Sequence, residues 1–422
     1  SSNLDENPLF VDPDNGDYNL LASSPCIDAG DPASEFDPDG TIADMGSIYY
    51  DQNETPIVWG CSTDPEATNY NPDANAEFTC LYNTGPDWYV STNGADDIND
   101  GSEEFPYATI QKAVDKAGEY GDHSNAQTIY ISPGTYNENI VSPEYSYSED
   151  QYGEYQESIS FIGLSENPED VIVDGGAAGS VFILQSQDYN DEIYFTYSNL
   201  TIQNGSSIAG SGINHSGGEL FIDNVIIQNN RFNDSGGNLY GGGLRISSAD
   251  SVSITNSYIV GNGGSGNRHY GGGIDFSSWV RTFLIEGCVI NNNEASHGSA
   301  INMGSGVNEG TYLIKETEFR ENITYDGGQS PNHGSHAVLY ADLGSNPLQI
   351  EDVVFQGNTN HAEQYYGHLI PVIHVDGIVK LNRTSIINNT SGGGLHAWSS
   401  NINSVGDSIY SEINNSTLSN SG

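Results

Sequence analysis

Basic residues are almost missing from this 422-residue chain: 10 Lys and Arg stand against 58 Asp and Glu, a formal net charge of −48. A nucleic-acid binder needs such cations to displace counterions from phosphate, so nucleic acid is excluded as a partner. The same repulsion excludes an anionic membrane surface. No apolar run approaches the ~18 residues of a spanning helix, so no membrane insertion is expected either. Cysteine is scarce, and four residues (Cys26, Cys61, Cys80 and Cys288) are too few for a disulfide scaffold. What is plentiful is glycine, with 50 residues, together with 26 Tyr, 13 Phe and many Ile and Val. Aromatic and branched side chains in that quantity point to a packed core and away from disorder.

Cys61 and Cys80 bracket CSTDPEATNYNPDANAEFTC, a segment with little apolar material of its own. A disulfide closing that loop is the natural reading, with two free thiols as the alternative. A disulfide implies an oxidising, extracellular location, secreted or at the cell surface. Zinc is not expected, because no second close Cys or His pair accompanies them.

Self-similarity dominates the rest. LFIDNVIIQNN (220–230) recurs as VSITNSYIVGN (252–262), FLIEGCVINNN (283–293), YLIKETEFREN (312–322), LQIEDVVFQGN (348–358) and VKLNRTSIINN (379–389), with weaker copies at 195–205 and 411–421. The third residue of the pattern is Tyr197, Ile222, Ile254, Ile285, Ile314, Ile350, Leu381 and Ile413. These span 216 residues in seven intervals, about 31 each, the period of a solenoid coil. A second apolar position follows five residues later: Ile202, Ile227, Ile259, Ile290, Phe319, Phe355, Ile386 and Leu418. Three residues further on stand Asn230, Asn262, Asn293, Asn322, Asn358 and Asn389. A short amide at a fixed turn can take a left-handed backbone, and stacked in register such amides bond along the coil axis as a ladder.

A further strand recurs between these copies as SGINHS, GGGLRIS, GGGIDFS, GSAINMG, SHAVLYA and GGGLHAW. Two or three strands per coil with Gly-rich bends and no long helices describe a parallel β-helix. Aligning the Gly-rich strands puts Asn214, Arg245, Asp275, Asn302, Leu339, His374 and His396 in one outward row, flanked by Tyr270, Trp279 and Trp398. Such a row could bind sugar by hydrogen bonds and stacking, but outward positions are also polar simply because they face water.

Upstream, Ile110, Ala113, Val114 and Ala117 share a helical face, which predicts an amphipathic helix near 107–118 covering the first coil. WYVSTNGADDINDGSEEFPYATIQKAVDKA followed by TIYISPGTYNENI resembles the start of secreted bacterial right-handed parallel β-helix proteins, the pectate-lyase-like superfamily. The GGG[IL] and Asn-ended coils at 195–421 resemble the same group. The resemblance implies the fold; its members include polysaccharide lyases, hydrolases, adhesins and surface proteins. Residues 1–52 resemble the closing segment of such a β-helix, normally found after the last coil. The expected organisation is therefore 1–52 as a closing-like segment, 53–85 as the Cys61–Cys80 loop and linker, and 86–422 as the β-helix. A closing segment at the front and a coil strand at the end suggest head-to-tail association of copies into a filament.

Calcium is the cofactor to consider. Asp12, Asp14 and Asp17 lie in DPDNGD, Asp37, Asp39 and Asp44 in DPDGTIAD, and Asp96, Asp97, Asn99 and Asp100 in NGADDINDG. Clustered oxygen ligands on Gly-containing loops suit Ca²⁺, although none has the full EF-hand spacing and Asx-rich turns explain each loop equally well. The first 100 residues hold 21 Asp and Glu and no Lys or Arg, an imbalance that cations or salt would relieve.

Members of the resembled superfamily that cleave acidic glycans use Arg or Lys as base, and no RxxR or equivalent pairing occurs here. The paired-Asp motifs of the polygalacturonases are absent too, and a −48 chain would repel an anionic glycan. The leading expectation is a non-catalytic extracellular structural module. The alternatives are a lyase or hydrolase of a neutral polysaccharide, with Asp275, His374, His396 and Arg245 as its candidate residues, and a glycan-binding adhesin.

Overall fold

The structure is a computed structural model. It describes the chain apart from residues 1–3, 5–6, 14–16, 22, 47, 53–58, 66, 68–69, 75, 78–79, 121–124, 143–157, 186–192, 234–235, 305–309, 326–335, 362–370, 391–392, 399–411, 415–416 and 420–422. Asp14 therefore lies outside the described residues.

Two compact units form. The first joins Ser1–Asp64 with Asn69–Cys80, and the second joins Pro65–Thr68 with Leu81–Gly422. The closing-like segment and most of the cysteine loop thus share one unit, where the sequence suggested separate pieces. Within it, Phe10–Asp12 pairs antiparallel with Asp17–Leu20, Trp59–Gly60 pairs parallel with Ala76–Glu77, and Cys61 is bonded to Cys80. Cys26 and Cys288 are free and buried.

The second unit is the parallel β-helix: its main sheet contains 26 strands, joined by parallel pairings from one coil to the next. Both apolar columns read from the repeat pair residue for residue. Tyr197, Ile222, Ile254, Ile285, Ile314, Ile350, Leu381 and Ile413 stand in register, as do Ile202, Ile227, Ile259, Ile290, Phe319, Phe355, Ile386 and Leu418. Those from Tyr197 to Leu381 and from Ile202 to Ile386 are buried in one continuous core. Each such side chain contributes roughly 1.5–3 kcal/mol of burial. Like residues also meet across coils, as Phe319 and Phe355 do with rings stacked at 4.4 Å.

The corners explain why the strands break where they do. Asn199, Asn224, Asn256, Gly287, Glu316, Asp352 and Arg383 all have positive φ, and so do Asn204, Asn229, Gly261, Asn292, Glu321, Gly357 and Asn388. One left-handed residue at each of two corners bends each of these seven coils between its strands. This revises one expectation. The left-handed residue is the one before each ladder asparagine, and the ladder residues themselves turn their side chains inward.

That inward ladder is fully bonded. Nδ2 of Asn230, Asn262, Asn293, Asn322 and Asn358 donates to Oδ1 of the next asparagine at 2.9–3.1 Å. The backbone N–H of each donates to the same oxygen, and the second Nδ2 hydrogen reaches a carbonyl of the previous coil, such as Ile259 from Asn293 at 2.8 Å. Six buried amides are thereby left without an unmet group, which is what makes their burial tolerable.

Helix α1 (Ile110–Tyr120) turns Ile110, Ala113, Val114 and Ala117 into the core beside the first strands. Its first N–H groups are met by carboxylates. Asp96 accepts from Ala108 N, Thr109 N and Thr109 Oγ1, while Glu138 accepts from Ile110 N and Gln111 N. Negative charge there also suits the helix dipole.

Candidate active site

The polar row runs along one outward face, on strands Ile213–Ser216, Leu244–Ile246, Ile274–Phe276, Ile301–Met303, Leu339–Glu351, Pro371–Asn382 and Gly393–Trp398. The strand register gives its members as Asn214, Arg245, Asp275, Asn302, Tyr340, His374 and His396. Leu339 is not among them. It pairs with Ile301 and is buried in the core, so Tyr340 occupies the outward place. SHAVLYA has no glycine to mark its bend, and aligning it on its first residue shifts it by one.

In the first half of the row Asp275 and Asn302 are closed to solvent, while Asn214 and Arg245 are partly exposed. Arg245 Nη1 donates to Asn214 Oδ1 at 3.3 Å and its Nε donates to Ser277 Oγ at 3.0 Å. Ser277 Oγ donates to Asp275 Oδ2, and Asn302 Nδ2 donates to Asp275 Oδ1 at 2.7 Å. Burial pushes the Asp275 carboxyl up to about 6, against the hydrogen bonds of Ser277 and Asn302 and the charge of Arg245. The enclosure comes from left-handed glycines that lay the preceding turn over the row. A Cβ on Gly271, at φ +63°, would stand 2.6 Å from that of Asp275. With 0% of Asp275 exposed, no substrate touches it. Its bonds to Arg245 through Ser277 and to Asn302 make it a buried strut between coils.

In the second half His374 is buried, while Tyr340 and the two carboxylates beside it are partly exposed. Two residues along the same strands, Asp342 and Asp376 face each other in register, directly beside Tyr340 and His374. His374 Nε2 lies 3.0 Å from Asp376 Oδ1, and Tyr340 OH donates to Asp376 Oδ2 at 3.3 Å. The Tyr340 and His374 rings stack at 5.6 Å, which fixes both donors. Asp376 keeps 26% of its side chain exposed, so a ligand reaches it. Asp342, partly buried and beside the charge of Asp376, has its carboxyl pushed up, with burial the larger cause; the Gly344 N–H and His374 act against this. Burial, then the charges of Asp376 and Asp342, also hold the Tyr340 hydroxyl well above its ordinary range. The result is one carboxyl biased toward the protonated form beside a second carboxylate held by two donors, the pairing that acid–base chemistry on a glycosidic bond requires.

Of the four residues singled out in the sequence, His374 alone belongs to this cluster, which it supports from a buried position. Asp275 and Arg245 lie in the first half. His396 pairs with His374 and Trp398 with Asp376, but their side chains are outside the described residues. Asp342, Asp376 and Tyr340 were missed. The signal that finds them is the shared pattern LYAD and IHVD, at 339–342 and 373–376.

Flanking the row is a ladder of rings: Tyr240 on Tyr270 at 5.1 Å, Tyr270 on His297 at 4.4 Å, and His297 beside His336 at 4.7 Å. The Arg245 guanidinium lies 5.7 Å from the Tyr240 ring centre. Trp279 carries Arg281 at 5.2 Å instead of an open face.

Among the described residues the carboxylates of the acidic loops do not converge as ligands. Asp37 accepts from Asp44 N, Asp39 from Gln52 N and Thr41, Asp44 from Asp28 N and Tyr50 N, and Asp100 from Asn83 N and Ser102. Their oxygens terminate turns, as Asx residues do. Asp12 and Asp17 are a strand pair. Among the described residues no three His, Cys, Asp or Glu side chains stand together as a metal site, so Asp96, Asp97 and the others give the calcium expectation no support.

No family model and no curated protein matches the chain. Several solved structures are similar. Pectin methylesterase from Erwinia chrysanthemi is 12% identical, with 76% of this chain and 82% of that one covered and a TM-score of 0.33. The enzyme from carrot is 14% identical (80% and 90% covered, TM-score 0.32), and that from Aspergillus niger in deglycosylated form is 12% identical (79% and 90%, TM-score 0.30). Identities and TM-scores this low assign no activity to this chain, whose chemistry rests on its own side chains.

Proposed function

We propose that this protein is a carbohydrate-active enzyme, a glycoside hydrolase of a neutral polysaccharide. The observation that carries the reading is the Asp342–Asp376 pair on adjacent strands, reachable by a ligand and ordered by His374 and Tyr340. Asp342, with its raised pKa, protonates the glycosidic oxygen as the sugar–oxygen bond breaks. Asp376 attacks the anomeric carbon, and water then releases the glycosyl ester with Asp342 taking its proton. Neighbouring strands lie about 4.8 Å apart, close to the ~5–5.5 Å carboxyl separation of retaining enzymes and short of the ~6.5–9.5 Å of inverting ones. A neutral substrate suits two carboxylates in a chain of net charge −48. The disulfide supports an extracellular setting.

The earlier expectation of a structural filament subunit has no observation of its own, because the apolar columns and asparagine ladder hold a β-helix together whatever its task. Incubation with neutral polysaccharides, following products by proton NMR, tests the enzyme reading. Release of oligosaccharides with the β or α anomer of the substrate retained is expected. Absence of products from the whole panel contradicts it.

A further inference from the structure

We propose that a histidine-lined turn beside the Tyr340–His374 cluster is an acid-sensitive latch. It opens on proton uptake and withdraws support from the strand that carries Tyr340 and Asp342. As a control of the carboxylate pair it rests on the enzyme reading above; as a local opening it does not.

The latch is built from three successive coils. His269, His297 and His336 stand ahead of the strands Ile274–Phe276, Ile301–Met303 and Leu339–Glu351. Ser296 joins them. Its backbone N–H and that of His297 donate to His269 O at 3.1 and 2.9 Å. Its hydroxyl accepts from His269 N at 2.9 Å and lies 2.8 Å from His297 Nδ1. His336 Nδ1 donates to Ser296 O at 2.8 Å, and Asn360 Nδ2 donates to His336 O. Directly beyond His336, Ala337, Val338 and Leu339 are buried, and Val338 N donates at 3.0 Å to Val372 O, on the strand of His374 and Asp376. The turn thus fixes the start of the strand that places Tyr340 and Asp342.

These surroundings suit the imidazoles as neutral rings. His269 is 3% exposed and His297 8%. His297 lies between the Tyr270 ring at 4.4 Å and the His336 ring at 4.7 Å, so a charge on one imidazole faces another. His269 lies against Phe232 at 4.7 Å. The charged groups nearby serve other partners. Arg268 and Asp275, of opposite sign, act on Tyr270, and Glu294 faces Arg231 at 3.7 Å. Tyr325 and His361 stack on each other at 5.7 Å. Among the described residues the one histidine–carboxylate ion pair is His374 with Asp376, outside the turn. Burial, then the neighbouring His336, holds the His297 imidazole down to about 3, with the His269 backbone opposing. An opened turn binds that proton at the ordinary value. The closed turn is therefore favoured above ~6.5, and the open one gains about tenfold for each pH unit below it.

The ladder itself supplies the substitution that tests this. Tyr240 and Tyr270 hold the place of His297 in the two preceding coils, each ahead of a left-handed glycine as His297 is. His297→Tyr therefore keeps the stacking and removes the proton site. His336→Asn keeps a donor for the Ser296 carbonyl without a titrating ring.

The test is amide hydrogen exchange on the full chain at pH 7 and pH 5, with intrinsic rates divided out. Protection at His297 N, Gly271 N (bonded to His297 O) and Val338 N should fall on the order of 30-fold, while the ladder amides of Asn262 and Asn293 hold. His297→Tyr should remove most of that fall, His336→Asn part of it. On a neutral polysaccharide that the protein degrades, the acid limb of the pH–activity profile should move to lower pH in His297→Tyr. Turn protection unchanged between pH 7 and 5, a fall shared equally by the ladder amides, an undiminished fall in both variants, or an acid limb left in place would each overturn the proposal. Absence of products from every polysaccharide overturns the enzyme reading alone, and the exchange result then decides the turn by itself.

Discussion

Single buried ionisable residues set the acid response of this molecule. His215 points into the core, paired between Leu184 and Ile246 and edge-on to Phe195 at 5.5 Å, with neither ring nitrogen hydrogen-bonded. Burial depresses its pKa to about 4, the Gly217 backbone offsetting only part. The unfolded chain then binds a proton that the folded one refuses, so stability falls as pH drops through 6.5 toward 4, by on the order of 3 kcal/mol. Asp275 acts in the opposite direction. Its folded value of about 6 exceeds the unfolded one, so the folded state binds the extra proton and stability rises as pH falls from about 6 toward 4. Asp275→Asn should therefore raise the melting temperature at pH 7 and steepen its decline between pH 6 and 4. His215→Leu should flatten that decline. A melting temperature whose pH slope is the same in both variants as in the parent protein contradicts this assignment.

At the scale of elements, strands and ladder were legible because a solenoid repeats its register, so eight weak copies reinforce one another. All sixteen apolar positions named from the pattern pair as expected. The site was not legible for a reason built into strands. Side chains alternate faces, so a slip of one residue at 335–341 exchanged Tyr340 for Leu339 and removed Asp342 from view. Backbone handedness at the corners was also displaced by one residue, since asparagine suits both a left-handed turn and a buried ladder. Asn293→Ala tests the ladder as an element. It strands Asn262 N and Nδ2 and the Ile259 carbonyl, and should cost roughly 2–4 kcal/mol in urea unfolding. A loss below about 0.5 kcal/mol, the size of an ordinary surface substitution, would show that the ladder contributes little.

For the whole molecule, the excess of 48 negative charges acts as a diffuse repulsion on the folded chain. With a Debye length near 10 Å at ~0.1 M salt, added sodium chloride should raise the melting temperature before any specific ion effect appears. Under the proposed function the same charge selects against anionic glycans, and the carboxylate pair cleaves the glycosidic bond. That claim is tested most directly by comparing the parent protein with Asp376→Asn and Asp342→Asn on a neutral polysaccharide that it degrades. The account predicts a fall of about 10²–10⁴-fold in product release for each variant, with melting temperatures not lowered. Full activity in either variant, or equal loss in Asp275→Asn, would contradict it.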